Sequence, residues 1–252
     1  MIYKHELRYY SKVISKGLVS WILQLFYLKT NLKFKNDIIV VYSMRKVGST
    51  SIYQSLFKMI PGKLTYHLHD LSDASLNRIK QMNPLNNNIK KGNRVRKLIK
   101  NNPDKKLKIV SLVRDPIAVE ISYIFHTLRW DKRDANDINY DSLRKELEIN
   151  NYQYAINWFD EELFSYLGID VFSFDFDKLK GYTIIRQNNI EILLMTLEGL
   201  NDSYKEAFEE YFQIENPKLV HSNKTSNLGY QDLYNEFKKK FILQADKVDQ
   251  IY

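Results

Sequence analysis

The chain has 252 residues, with 38 lysines and arginines against 30 aspartates and glutamates, so its formal net charge is +8. That length suits one domain, and 44% hydrophobic residues with only 8 glycines and 5 prolines is typical of a globular protein that buries a core. Because the chain has no cysteine, disulfides, a thiolate nucleophile and cysteine-ligated zinc or iron–sulfur sites are excluded. The lack of cysteine also agrees with a cytoplasmic protein.

Two stretches hold the excess positive charge. Residues 1–35 contain seven basic residues and one acidic residue, and residues 83–106 contain eight basic residues and one acidic residue. Such patches attract anions, whether nucleotides, acidic glycans, nucleic acid or lipid headgroups. The alternative interpretation is that these charges are only solvated.

An apolar run, residues 17–28 (GLVSWILQLFYL), lies between Lys16 and Lys29. It is too short to cross a bilayer, and it lacks the cleavage site of a secretory signal. Two interpretations remain: a peripheral contact with the inner face of the membrane, or a helix packed against the protein. We expect residues 1–35 to form a helical N-terminal extension and residues 36–252 to form the main domain.

The first part of that domain alternates strands and helices. Residues 37–42 (DIIVVY) form a β-branched run that ends in the polar loop 43–50, and helical spacing follows over residues 51–59. In chain order the patterns then predict a strand at 64–69, a helix at 71–82, a basic insertion at 83–106 with a short helix at 95–100, and a strand at 107–113. Asp115 as N-cap and Pro116 at the first helical position predict a helix to about residue 128.

The patterns farther along the chain are mixed. They predict a helix at 143–167, strands at 170–177 (DVFSFDFD) and 181–187, a strand or buried helix at 190–197, and helices at 202–213 and 231–242. Short strands separated by helices predict an α/β fold, a three-layer α/β/α arrangement around a central parallel sheet. Ligands of such sheets bind outside the carboxyl ends of the strands, so the loops after residues 42 and 113 should meet at one crevice.

The loop after the first strand is the most informative segment. Gly48 lets the backbone approach a ligand closely, and the amides that follow it lie at a helix N-terminus, where anions are favoured. Lys46, Ser49 and Thr50 add donors. The loop does not match the Walker A pattern, because Lys46 precedes the single glycine. A phosphate-loop kinase or nucleotide hydrolase is therefore the less favoured alternative.

Two motifs resemble those of a known superfamily. Residues 45–50 (RKVGST) resemble the 5′-phosphosulfate loop of sulfotransferases that use 3′-phosphoadenosine-5′-phosphosulfate (PAPS). Arg114-Asp115-Pro116, with Ser122 eight residues after Arg114, resembles the 3′-phosphate motif of the same superfamily. Residues 37–240 resemble more closely bacterial capsular polysaccharide synthesis proteins, which share the RKVGST loop and a C-terminal helix like residues 229–237 (GYQDLYNEF).

This resemblance implies a phosphate-loop-like sulfotransferase fold and an enzyme that moves the sulfuryl group of PAPS to a hydroxyl or amine, leaving adenosine 3′,5′-bisphosphate (PAP). The acceptor would be a glycan, such as a capsular or other surface polysaccharide, or a small molecule; neither a metal nor a nucleic acid is implied. Lys46 would meet the charge that develops on the leaving phosphate. The cofactor-binding residues implied are Arg45, Lys46, Val47, Gly48, Ser49, Thr50, Arg114, Ser122 and, in a late basic loop, Lys224.

A base must take the acceptor proton, and histidine suits that role near neutral pH. His67 and His69 alternate along one strand, so both point to the same face. The segment resembles the Tyr-His segment of heparan and dermatan 2-O-sulfotransferases, where a histidine is the base. We favour His69, nearer the strand end, over His67; a structural pair or a metal-binding pair are the alternatives. Asp70 is expected to orient an imidazole or to cap the next helix.

Three functions therefore remain open: a glycan sulfotransferase as first choice, a phosphate-loop kinase or nucleotide hydrolase, and a basic protein that binds an anionic polymer without catalysis. Each predicts a different ligand. PAP would bind the first without Mg²⁺, Mg²⁺–ATP the second, and a polyanion the third in a salt-sensitive manner.

Overall fold

The computed structural model describes residues 33–61, 63–130, 140–149, 152–222 and 231–241. The predicted membrane-contacting segment 17–28, Lys224 and nearly all of the predicted N-terminal extension lie outside these ranges. Within them, no helix combines the length and the apolar character needed to cross a membrane.

The centre of the fold is a five-stranded sheet with strand order β2-β1-β3-β5-β4. Strands β1, β2, β3 and β5 run parallel, and β4 at the edge pairs antiparallel with β5. The predicted α/β fold is confirmed, with one antiparallel edge strand added to the parallel sheet. The strands are β1 (Asp37–Tyr42), β2 (Thr65–Leu68), β3 (Lys106–Val113), β4 (Tyr182–Gln187) and β5 (Ile190–Thr196).

Helices cover the sheet, and this explains why β1 and β3 are buried along almost their whole length, as expected for strands with both faces covered. The burial is compatible with the predicted three-layer arrangement. The helices are α1 (Ser49–Met59), α2 (Asp73–Met82), α3 (Asn87–Lys100), α4 (Pro116–Trp130), α5 (Tyr140–Ile149), α6 (Gln153–Trp158), α7 (Leu200–Phe212) and α8 (Gln231–Lys240).

Two apolar clusters hold the helices in place. The larger surrounds the sheet and includes Tyr204, Phe208 and Phe212, which α7 presents at helical spacing. The smaller cluster joins α4, α5 and α8, with Phe125 of α4 against Phe237 of α8. Because α4 is fixed by this second cluster, the orientation of its cleft-facing side chains depends on residues far along the chain.

The predicted strand at 170–177 is wrong. The structure has a 3₁₀ turn at Val171–Ser173, followed by an irregular segment. The carboxylate of Asp170 accepts the Phe172 amide at 2.9 Å, and that of Asp177 accepts the Leu179 and Lys180 amides at 2.9 Å. These local bonds offer the backbone an alternative to strand pairing, and they outweigh the alternating Phe/Asp pattern.

The single helix predicted at 143–167 is also interrupted. Tyr152 has a left-handed backbone, with φ of 57°, which a right-handed helix cannot continue through. Helix α6 starts immediately afterwards and passes into a π-helix, Phe159–Phe164, and a last turn, Ser165–Leu167. The wider π-helical turn contains Glu162, a carboxylate that is 1% exposed.

The basic insertion is more helical than predicted, because α3 begins at Asn87, eight residues before the predicted start. The Asn86 side chain caps it by accepting the Asn88 amide at 2.9 Å. Gly92 lies where α3 meets α2 and the end of β2. A Cβ there would lie 2.9 Å from Leu76 Cδ2 and 3.3 Å from the Asp70 carbonyl oxygen. Glycine therefore allows α3 to pack closely on the carboxyl end of β2.

The Glu162 carboxylate joins three parts of the fold. It accepts the Tyr42 hydroxyl at the end of β1, the Leu71 amide at 2.7 Å, and the Ser72 amide and hydroxyl at 3.0 Å each. Burial and the neighbouring carboxylate raise the pKa of Tyr42, so its hydroxyl remains a donor. A buried charge is tolerated only with such partners. This set of bonds fixes the corner between β2 and α2.

We expect Glu162→Gln to destabilise the protein by about 1–3 kcal/mol, because an amide adds a donor where four donors already point and removes the charge they stabilise. Chemical denaturation measures the change. Glu161→Gln is the matched control, since Glu161 is 43% exposed and pairs with Arg78 on the surface; its effect should stay within about 0.5 kcal/mol. Equal stability of the two variants would contradict the role assigned to Glu162.

Candidate functional site

The parallel strands end at one edge of the sheet and form a cleft there, as expected for this sheet type. The cleft has a volume of about 560 Å³, which falls within the range of cofactor sites. It collects the loop after β1, the end of β2, the start of α4 and the end of β5. Its lining residues are Arg45, Lys46, Gly48, Ser49, Thr50, Ser51, His69, Asn88, Arg114, Ser122, Tyr123, His126, Leu197, Ser222 and Tyr234.

The backbone of the loop after β1 is shaped for close approach. Gly48 precedes α1 with φ of +77°, and Lys46 is also left-handed, with φ of 65°. No side chain caps the N-terminus of α1 at Gly48. The first amides of the helix, at Ser49 and Thr50, therefore lie at the positive end of the helix dipole beside the cleft. Val47 is fully buried in the core and anchors the loop rather than lining the cleft.

Two cations define the electrostatics of the cleft, Lys46 and Arg114. The Arg114 guanidinium donates to the Lys46 carbonyl oxygen at 3.0 Å, which ties the start of α4 to the loop. In the described ranges, neither cation pairs with a carboxylate. Burial, and secondarily the charge of Arg114, lowers the pKa of Lys46 to about 8. An anion in the cleft would relieve both effects.

Arg45 differs from these two cations because it already has a partner. Its guanidinium lies 3.4 Å from both oxygens of Asp70, and its backbone amide donates to the Tyr154 hydroxyl at 2.8 Å. Burial raises the pKa of Asp70, although the Arg45 charge opposes that shift. Asp70 does not cap α2, since the Ser72 side chain does so by accepting the Ser75 amide. Arg45 thus lines the cleft as one member of an ion pair with Asp70.

His69 has the geometry of a base. Its Nδ1 lies 2.7 Å from the Ser43 carbonyl oxygen, which can only accept, so Nδ1 carries the proton and Nε2 keeps its lone pair. Burial lowers the pKa of His69, which keeps the ring neutral near pH 7. The Trp158 indole donates to the His69 carbonyl oxygen at 3.0 Å and fixes the backbone here.

His67 lies beside His69 but is engaged with another group. Its Nε2 is 2.9 Å from the Ser49 hydroxyl, and its ring stacks on Tyr53 at 5.5 Å between centroids. Burial, followed by the charge of His69, lowers the pKa of His67 to about 3. His67 is therefore neutral in the working range of pH and positions Ser49. Of the two histidines, only His69 lines the main cleft.

Helix α4 brings Ser122 to the cleft as the motif predicts. The Asp115 carboxylate accepts the Ala118 amide at 2.7 Å, which confirms the predicted N-cap. Ser122 and His126 both line the cleft, one helical turn apart on the same face. Lys224 lies outside the described residues; Ser222, two residues before it, contacts Ser51 at 3.2 Å between hydroxyl oxygens.

Several residues of the site have no signal in the sequence. These are Asn88 from the insertion, Tyr123, Leu197 after β5, and Tyr234 from α8, with Tyr154 and Trp158 as supports. Tyr123 directly follows Ser122 on α4, and the others reach the cleft through tertiary contacts from segments distant from the two motifs. Across the described ranges, no group of three or more histidine, aspartate or glutamate side chains could hold a metal ion.

Comparison with known protein families finds a match in the C-terminal part of the chain. Residues 130–252 match the family model described as "Putative capsular polysaccharide synthesis protein". No curated protein and no solved structure matches the chain. The resemblance to capsular polysaccharide synthesis proteins is confirmed over this segment, while the sulfotransferase resemblance stays a prediction. The matched segment begins after Arg114 and Ser122, and it supplies the supports Tyr154, Trp158 and Glu162.

We expect Gly48→Ala to destabilise the protein more than Gly168→Ala. Both glycines have a left-handed backbone, with φ of +77° and +70°, so backbone strain at either alanine destabilises the protein by about 1 kcal/mol. Only at Gly48 does the new Cβ meet another group, Leu197 Cδ1 at 2.9 Å, while the space around Gly168 is open. Thermal and chemical unfolding of both variants measure the difference, and equal losses would contradict the close packing at Gly48.

We expect Lys46 to titrate near pH 8, protonated below that value and neutral above it, because burial disfavours its charged form. The test is an NMR titration of ¹³C-labelled lysine side chains, with the resonance assigned by Lys46→Arg. Arg114→Gln should raise this pKa, since it removes a like charge, but not to the ordinary value, because burial remains. Arg45→Gln is the control that should leave it unchanged. A midpoint close to 10.5 in the native protein would contradict the prediction.

Proposed function

We propose that the protein is a PAPS-dependent sulfotransferase that modifies a hydroxyl or amine of a glycan. The observation that supports this function best is the convergence, on one cleft, of an uncapped helix N-terminus, two cations without carboxylate partners among the described residues, and His69 with Nε2 available. These groups come from three strand ends that are far apart in sequence. The helix N-terminus and the two cations can bind a phosphosulfate, and His69 can accept the proton that the acceptor loses.

The residues present fit PAPS in two places. The amides of Ser49 and Thr50, with Lys46, suit the 5′-phosphosulfate, because they combine backbone donors with a positive charge. Arg114 and Ser122, which line the same cleft, suit the 3′-phosphate. The cleft has a volume of about 560 Å³ and is also lined by Tyr123, Leu197 and Tyr234, which suit the nucleoside.

PAPS, when bound, supplies a sulfur atom that forms a bond to the acceptor oxygen or nitrogen while its bond to the 5′-phosphate oxygen breaks. The chain contributes the group that accepts the proton and the positive charge that stabilises the leaving phosphate. His69 Nε2 takes the acceptor proton, and Ser43 holds the other ring nitrogen, so the ring enters the reaction in one tautomer. Lys46 offsets the negative charge that grows on the leaving oxygen. Arg114 holds the Lys46 backbone in place.

We propose the class of acceptor from the family match and from the positive charge of helix α3. The family model that matches residues 130–252 is described as a capsular polysaccharide synthesis protein. We therefore propose a capsular or other bacterial surface polysaccharide as the acceptor, modified at the cytoplasmic side of the membrane. The basic helix α3 beside the cleft suits an acidic polymer.

The test is calorimetric titration of the native protein with PAP, 5′-AMP and Mg²⁺–ATP. We expect PAP to bind without Mg²⁺ and at least about tenfold more tightly than 5′-AMP, because the 3′-phosphate adds charge-assisted hydrogen bonds. Arg114→Ala should remove that preference. Arg186→Ala is the control, since Arg186 is exposed on the edge strand β4, away from the cleft.

Transfer is then measured with ³⁵S-labelled PAPS and surface polysaccharides. His69→Asn should lose transfer and keep PAP binding, because asparagine can still donate to the Ser43 carbonyl but cannot take a proton. A preference for Mg²⁺–ATP would replace the proposal with a kinase or nucleotide hydrolase. Salt-sensitive polymer binding without nucleotide binding would replace it with a non-catalytic polyanion-binding protein.

A further inference from the structure

A second, smaller cavity adjoins the main cleft. Its volume is about 270 Å³, and it shares two lining residues with the cleft, His69 and Asn88. A cavity of this size is below the usual range for a whole cofactor, so it suits a smaller group, such as one sugar residue. Because His69 borders both cavities, a hydroxyl in the smaller one can reach the base while the nucleotide fills the larger one. The other lining residues are His67, Leu68, Asp70 and Lys91.

One wall of this second cavity is helix α3, which contains six basic residues and no acidic residue. The close packing at Gly92 presses α3 against the Asp70 carbonyl and so brings the preceding residue, Lys91, beside the end of β2. The charge of Lys91 lowers the pKa of both His67 and His69, in addition to the larger effect of burial. The Lys91 ammonium therefore lies within electrostatic reach of the base.

Lys91 has no carboxylate partner in the described part of the chain. Asp70, the acidic residue of this cavity, is paired with Arg45. Arg96, on the same helix, is paired with Asp73 at 2.6 Å. The Lys91 side chain is exposed to solvent and borders the cavity, and desolvation by neighbouring atoms lowers its pKa. A cation in this position gains from an anionic ligand.

We propose, resting on the sulfotransferase function above, that the second cavity binds the acceptor sugar through a carboxylate, with Lys91 as its counter-ion and the Asn88 amide as a second donor. Lys91 is then a specificity-determining residue that selects acidic sugars over neutral ones. The carboxylate is held by α3, and a hydroxyl of the same sugar faces His69. A charge-assisted pair of this kind orients the sugar as well as binding it.

The experiment measures binding of two matched probes to the full chain saturated with PAP. One probe is an oligosaccharide of unsulfated chondroitin, which carries glucuronate carboxylates; the other is the same oligosaccharide with those carboxyls reduced to alcohols. We expect the acidic probe to bind about tenfold more tightly, as a hydrogen-bonded charge pair predicts. Lys91→Gln should remove the difference, and Lys91→Arg should restore most of it.

Lys97→Gln is the matched control. It removes the same charge from the same helix at an exposed position that lines neither cavity, so it should keep the preference for the acidic probe. Equal binding of the two probes, binding of neither, or an unchanged preference in Lys91→Gln overturns the proposal. A failure of PAP itself to bind overturns the underlying sulfotransferase function, and the saturation step reveals that outcome separately.

Discussion

The structure of the site depends on one buried carboxylate, that of Glu162. It accepts hydrogen bonds from the end of β1 and from the corner that follows β2, and so fixes the relative position of the two strand ends beside the cleft. His69 and Asp70 immediately precede that corner. Since a buried charge without partners is costly, the corner cannot move away from Glu162 without losing stability. The bonds therefore hold His69 and the loop after β1 in a fixed relative position.

Some cations in and beside the cleft have a carboxylate partner among the described residues, and others have none. Arg45 pairs with Asp70, and Lys108 inside the fold pairs with Glu191 at 2.6 Å. Lys46, which is half-buried, and Lys91, which is exposed, have no such partner among the described residues, and desolvation lowers the pKa of each. Pairing either cation with a carboxylate of the same chain would weaken its attraction for an anionic ligand. Among the described residues, the cations without a carboxylate partner thus mark where anionic groups are expected: Lys46 and Arg114 in the cleft and Lys91 in the second cavity.

The two halves of the chain contribute different parts of the site. Residues before 130 supply most of the groups that line the cleft, among them the loop after β1, His69, Arg114 and Ser122. Residues 130–252, which match the capsular polysaccharide synthesis family model, supply supports such as Tyr154 on the Arg45 amide and Trp158 on the His69 carbonyl. They also contribute Leu197, Ser222 and Tyr234 to the lining. The family-matched segment and the two motifs therefore both contribute to one cleft.

The sequence by itself determined the strands β1, β2 and β3, the loop with Gly48 before α1, and the N-cap of α4. Each is specified by neighbouring residues, such as a β-branched run, a glycine before a helix, or an Asp-Pro pair. It also predicted that the strand ends meet, since parallel topology requires it. Only the tertiary structure decided that Arg45 is paired while Lys46 is not, that Ser43 fixes the tautomer of His69, and that α3 brings Lys91 beside it. Those outcomes depend on contacts between segments about 20 to 30 residues apart in the chain, and local sequence patterns do not specify such contacts.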